Sequence, residues 1–136
     1  MVNHLQTTVV VADSHPSMLF TSTRLLDAED DLTVTGSTGD LERATAMASE
    51  QQADVMIIDL HMLEGSSRAA VASLRRRNPD TAVVILTMEA TQAFVAPLLD
   101  AGASGYVLKE FADSDLAHAV REAAGGRRFV SEKLAA

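Results

Sequence analysis

Asp54-Val-Met-Ile-Ile-Asp59, continuing as Leu60-His61-Met62, is the stretch that decides the fold. Its four central residues are apolar without alternation, the pattern of a strand covered on both faces, as in a parallel sheet. It ends in a carboxylate. Two further runs share the pattern, Thr7 to Ala12 and Ala82 to Thr87, so three strands are expected at the sheet centre. Asp31 to Ser37 alternates and suits an outer strand, and Ser104 to Leu108 is a short strand entered through Gly102 and Gly105.

Between these strands lie segments of helical spacing: Pro16 to Ala28, Leu41 to Gln51, Ser66 to Arg77, Thr91 to Ala101 and Asp113 to Ala124. Pro16 suits a first helical position, and Asp40 and Asp113 read as N-caps. Strict alternation of strand and helix implies right-handed crossovers and an α/β, flavodoxin-like doubly wound (βα)5 sandwich with parallel sheet order 2-1-3-4-5. Gly125-Gly126 closes the last helix, giving a domain over 1–126 and a tail or start of an interdomain linker over 127–136.

Composition bounds the function. The 136 residues, 47% of them apolar, supply one core. No cysteine is present, which excludes disulfides and thiolate metal sites. The first residues show no secretory pattern, and no apolar run approaches the ~20 residues of a membrane span, so a cytoplasmic protein without membrane contact is expected. A formal net charge of −8 opposes direct nucleic-acid binding, which rests largely on neutralising phosphates. Arg75-Arg76-Arg77 reads as a cation-rich helix C-terminus rather than a nucleic-acid patch.

Ligands of open α/β sheets bind beyond the carboxyl ends of the strands. There the sequence places Asp13-Ser14 after strand one, Asp59 after strand three, Thr87 after strand four and Lys109 after strand five. Each has an ordinary explanation alone: a cap, a turn residue, strand composition, a surface lysine. Together they form a rim carrying carboxylates, a hydroxyl and an ammonium. A carboxylate can accept a phosphoryl group, and such transfer depends on positioning and on neutralising the phosphoryl oxygens.

The stretches Val-Val-Val-Ala-Asp-Ser-His-Pro (9–16), Asp-Val-Met-Ile-Ile-Asp-Leu-His-Met (54–62), Val-Val-Ile-Leu-Thr-Met (83–88) and Ala-Gly-Ala-Ser-Gly-Tyr-Val-Leu-Lys (101–109) resemble the receiver domain of bacterial two-component response regulators. The wording is closest to the subfamily whose receivers precede a LuxR/NarL-type helix-turn-helix domain. The resemblance implies a signalling protein rather than an enzyme. It makes Asp59 the phosphoacceptor charged by a histidine kinase, and places Mg²⁺ in an acidic pocket of Asp13, Asp59 and the backbone carbonyl of His61. Thr87 and Lys109 would bind phosphoryl oxygens, and Tyr106 would be an aromatic switch that turns inward. It further implies a homodimer, and an output helix-turn-helix domain expected to be missing from this chain by truncation.

The sequence departs from the family pattern at three points. Ser14 stands where a second carboxylate usually ligates Mg²⁺, and a neutral hydroxyl is a poor substitute, so weak metal binding and a resting Lys109–Asp59 ion pair are expected. Leu63 replaces a usual proline. Pro97 lies within helix four, where a kink or an unwound first turn is expected. His4, His15, His61 and His118 are scattered and are read as no transition-metal site, and Phe94, Phe111 and Phe129 as packing residues. Two functions compete: a working receiver, and a pseudo-receiver acting as a phosphorylation-independent dimerisation or ligand-sensing module. A flavin-binding flavodoxin lacks its phosphate loop here, and an Asp-x-Asp phosphatase lacks its second aspartate.

Overall fold

The computed structural model describes residues 6–88, 93 and 95–132. The strands are β1 (Thr7–Ala12), β2 (Leu32–Thr38), β3 (Val55–Asp59), β4 (Ala82–Thr87), β5 (Gly105–Leu108) and β6 (Phe129–Val130). The helices are α1 (Pro16–Asp27), α2 (Leu41–Gln51), α3 (Ser67–Arg77), α4 (Val95–Ala101) and α5 (Ala112–Ala124). All strand pairs are parallel, in the order β2-β1-β3-β4-β5-β6. The doubly wound order expected from the sequence is therefore present, and the sheet runs one strand further.

That sixth strand is a difference from the sequence reading, which took residues after 126 as a tail. Phe129 and Val130 pair with Gly105 and Tyr106. Two residues are too few to show alternation, so the pattern that reveals the other strands is missing here. Phe129 also packs its ring against His118 of α5, with centroids 5.1 Å apart.

Alternate residues of the central strands feed two cores. Val10, Ala12, Met56, Ile58, Ile85 and Tyr106 face one layer, packed by Ala44 and Ala48 of α2, Val71 and Leu74 of α3, and Leu98 of α4. Val9, Val11, Ile57, Val84, Leu86 and Val107 face the other, against Leu26 of α1 and Leu116, Ala119 and Val120 of α5. With β1 and β3 buried on both faces, the runs that lacked alternation in the sequence are explained.

Helix starts follow the sequence with one exception. Pro16 opens α1, Asp40 accepts from the Arg43 amide, and Ser66 accepts from the Ala69 amide. Asp113 is not the N-cap of α5: a 3₁₀ turn over Lys109–Phe111 runs directly into the helix, so Phe111 takes the cap position and Asp113 lies in the first turn. In α4, Pro97 is the third of the helical residues described, and the expected kink or unwound first turn before it falls in part outside the described residues. The expected start of that helix at Thr91, and Phe94, lie outside the described residues.

Candidate functional site: a buried carboxylate pair with a lysine and a histidine at its mouth

Parallel pairing carries the ends of β1, β3, β4 and β5 to one rim. Asp13 follows β1 directly, and its amide donates to the Thr38 carbonyl at 3.1 Å. Asp59 is the last residue of β3 and pairs with Leu86, one residue before Thr87. Thr87 in turn pairs with Leu108, the neighbour of Lys109. The rim deduced from the sequence is thus assembled by register alone.

Both aspartates are buried, at 1% and 0% exposure, and both use one oxygen to fix the backbone. Asp13 Oδ1 accepts from the His15 amide at 2.9 Å, and Asp59 Oδ1 accepts from the His61 amide at 3.2 Å. These are Asx turns, in which a short carboxylate side chain satisfies an amide two residues on. The second oxygens, Asp13 Oδ2 and Asp59 Oδ2, are buried without a hydrogen bond. Each is therefore held open toward a charge.

Lys109 provides that charge. Its Nζ lies 3.0 Å from Asp13 Oδ2 and 3.4 Å from Asp59 Oδ2, with the side chain only 7% exposed. These are ionic contacts whose directions fall outside hydrogen-bond geometry, since the same oxygens remain without a hydrogen-bond partner. The resting ion pair expected between Lys109 and Asp59 is accordingly a straddle, closer to Asp13 than to Asp59.

A second group reaches the same place, and the sequence reading missed it. His15 Nδ1 lies 3.2 Å from Asp13 Oδ1, 3.5 Å from Asp59 Oδ2 and 3.4 Å from Lys109 Nζ. Asp13, His15 and Asp59 form a group whose ligand atoms lie within 4.8 Å of one another. Of the four histidines set aside as scattered, His15 thus joins the carboxylates. Its signal was its spacing: two residues after Asp13, it is swung back over the pocket by the Asx turn.

Ser14 is exposed and lines a separate groove with Asp40, Glu42, His61 and Glu64. The donor set around the two aspartates is therefore two carboxylates and one imidazole nitrogen. That set can hold a divalent cation, but it lacks the extra oxygen a magnesium ion favours. Thr87 and Tyr106 are both fully buried, the tyrosine within the core that also holds Ile85, Leu98 and Val71.

A parallel doubly wound sheet with two buried aspartates, a threonine and a lysine at its carboxyl rim defines a phosphoryl-signalling domain. The chain belongs to the response regulator receiver domain family, whose model matches residues 9–121. It is 33% identical over 127 residues to oxygen regulatory protein NreC of Staphylococcus epidermidis, covering 93% of this chain and 58% of that protein. It is 32% identical over 126 residues to the nitrate/nitrite response regulator protein NarP of Escherichia coli, covering 93% of this chain and 59% of NarP. The chain thus spans somewhat under two thirds of the curated relatives it matches. Among solved structures it resembles the Salmonella typhimurium RcsB response regulator, with TM-score 0.87 and 28% identity over 96% of this chain and 66% of that one. It also resembles the isolated RcsB receiver domain from Salmonella enterica determined with the phosphomimetic BeF3−, with TM-score 0.84, 28% identity and 96% of both chains covered. No helix among the described residues is long and apolar enough to cross a membrane.

Proposed function

We propose that Asp59 is the phosphoacceptor of this receiver, charged by a histidine kinase. The observation that carries the reading is Asp59 Oδ2, fully buried at the end of β3, without a hydrogen bond and 3.4 Å from the Lys109 ammonium. An Asp59 oxygen attacks the phosphorus of a phosphohistidine, the P–N bond breaks, and the leaving imidazole takes a proton. Lys109 neutralises the phosphoryl oxygens, and Thr87, at the end of the neighbouring strand, donates its hydroxyl to one of them. Asp13, Asp59 and the His61 carbonyl would hold Mg²⁺, weakly because Ser14 replaces a carboxylate; when bound, the ion adds further neutralisation of developing charge.

Tyr106 is the proposed switch. Tyr106 is buried on β5, paired between β4, which ends in Thr87, and β6, which supports a role in passing the state of Asp59 outward. The consequence for the whole protein is a change in self-association, and control of a helix-turn-helix output segment lying outside residues 1–136. The net charge of −8 supports a receiver that does not itself bind nucleic acid. Neither the family match nor the site geometry supports the phosphate-independent alternative.

Adding beryllofluoride, an acyl-phosphate mimic, with Mg²⁺ and following amide NMR shifts tests this directly. Saturable shifts around Asp59 and Thr87 are expected in wild type and not in Asp59→Asn. A wild type that stays silent while Ser14→Asp responds would overturn the proposal.

A further inference from the structure

We propose that His15 serves as a third protein ligand to a divalent cation in the aspartate pocket, shifting its preference from magnesium toward a borderline transition cation such as Zn²⁺ or Co²⁺. The inference rests on the receiver reading only in sharing its pocket. Three candidate ligand atoms converge from two turns: Nδ1 of His15 and a carboxylate oxygen of Asp13 from one, and a carboxylate oxygen of Asp59 from the other, all within 4.8 Å. The contacts of Nδ1, 3.2 Å to Asp13 Oδ1 and 3.5 Å to Asp59 Oδ2, match ligands of one ion. Two atoms bound at ~2.1 Å to a tetrahedral zinc lie roughly 3.4 Å apart.

Charge argues the same way. Two carboxylates and one ammonium leave the pocket one positive charge short of neutrality, and both Oδ2 atoms are buried without hydrogen bonds. A third lone pair aimed at two carboxylates is repulsive unless a cation lies between them. The occupants available are a proton on Nδ1, the Lys109 ammonium at 3.4 Å, or a metal. Imidazole nitrogen with carboxylate oxygen suits zinc, cobalt and iron(II), whereas magnesium prefers oxygen alone. The departure at position 14 therefore changes which metal the pocket takes, because the ligand it removes is a hard oxygen and the group that reaches the pocket is a nitrogen. His15 is half-exposed, with its side chain at 55%, so an ion has a path of entry.

The test is calorimetric titration of the full chain with Zn²⁺, Co²⁺ and Mg²⁺ at fixed neutral pH, with no phosphodonor present. Wild type is expected to bind Co²⁺ and Zn²⁺ at one strong site. His15→Ala should weaken those by tenfold or more and leave Mg²⁺ within about twofold, as loss of one nitrogen ligand predicts. His118→Ala should leave the strong site unchanged. The Co²⁺ absorption spectrum of wild type should change in His15→Ala, and the His15 ring resonances should shift on Zn²⁺ addition. Equal Zn²⁺ affinity in wild type and His15→Ala, or loss of the strong site in His118→Ala, overturns the inference and leaves the proton or Lys109 as the occupant. Because no phosphoryl group enters, this outcome is separate from the beryllofluoride response: a receiver that responds to beryllofluoride yet ignores His15→Ala loses only the metal assignment.

Discussion

At the residue scale, the pocket is governed by how two aspartates divide their oxygens. Each spends Oδ1 on the amide two residues on, which holds Oδ2 in a buried position facing Lys109. Removing the lysine would leave two buried carboxylates facing each other without their cation. Lys109→Met is therefore expected to lose about 3 kcal/mol in urea unfolding, and Asp13→Asn in that background should recover part of it, because breaking a buried pair exposes the uncompensated partner. A Lys109→Met chain as stable as wild type would show the ammonium is not what keeps the pair buried. Asp13, Asp59, Thr87 and Lys109 were legible because each ends a recognisable apolar strand. His15 was not, since its approach depends on a turn angle rather than on strand pattern, and a histidine in a loop carries no mark of where its ring points. The same holds for Lys109 lying nearer Asp13: strand order brings the three together, but only side-chain geometry chooses the partner.

At the element scale, β6 does more than extend the sheet. The Ser131 amide donates to the Tyr106 carbonyl, and Ser131 Oγ both accepts from the Leu108 amide at 3.0 Å and donates to Asp115 Oδ2 at 2.9 Å. One hydroxyl thus joins the residue before Lys109 to the first turns of α5. Ser131→Ala is expected to cost about 1–3 kcal/mol, since it strands a buried N–H, and to speed hydrogen exchange at the Leu108 amide. Unchanged exchange there would mean the hydroxyl is dispensable. The strand itself was illegible in sequence because two residues cannot express a period, whereas β1, β3 and β4 were legible because burial on both faces removes alternation from five or six residues at once. The misplaced cap at Asp113 has a similar cause: acidic residues in a first turn are favoured by the macrodipole whether or not they cap it.

At the scale of the whole molecule, a single cation ties α5 to the turn between α1 and β2. Arg121 of α5 donates from Nε to Asp31 Oδ2 and from a guanidinium nitrogen to Asp31 Oδ1, both at 2.8 Å, and also contacts Glu29. Asp31 and Glu29 lie in the turn between α1 and β2. The hydrogen bond from Arg121 holds the Asp31 carboxyl below its usual value of 3.8, and the same partners raise the guanidinium further. A carboxylate with a depressed folded value stabilises the chain fully above its unfolded value and loses that contribution as pH falls through the folded one. The urea midpoint should thus fall between neutral pH and about pH 3 more steeply in wild type than in Asp31→Asn; equal slopes would remove Asp31 from acid denaturation. This tether joins residues ninety positions apart, a separation no local pattern encodes. The charge balance that opposes nucleic-acid binding was, by contrast, readable from composition alone.

Because β6 lies parallel to β5, the backbone departs from the sheet at the rim that holds Lys109 and not at the opposite pole. Ser131, just after β6, donates its amide to the Tyr106 carbonyl, so the end of β6 is tied to the strand that leads to Lys109. A displacement of that strand would carry the end of β6 with it, without a relay through the core.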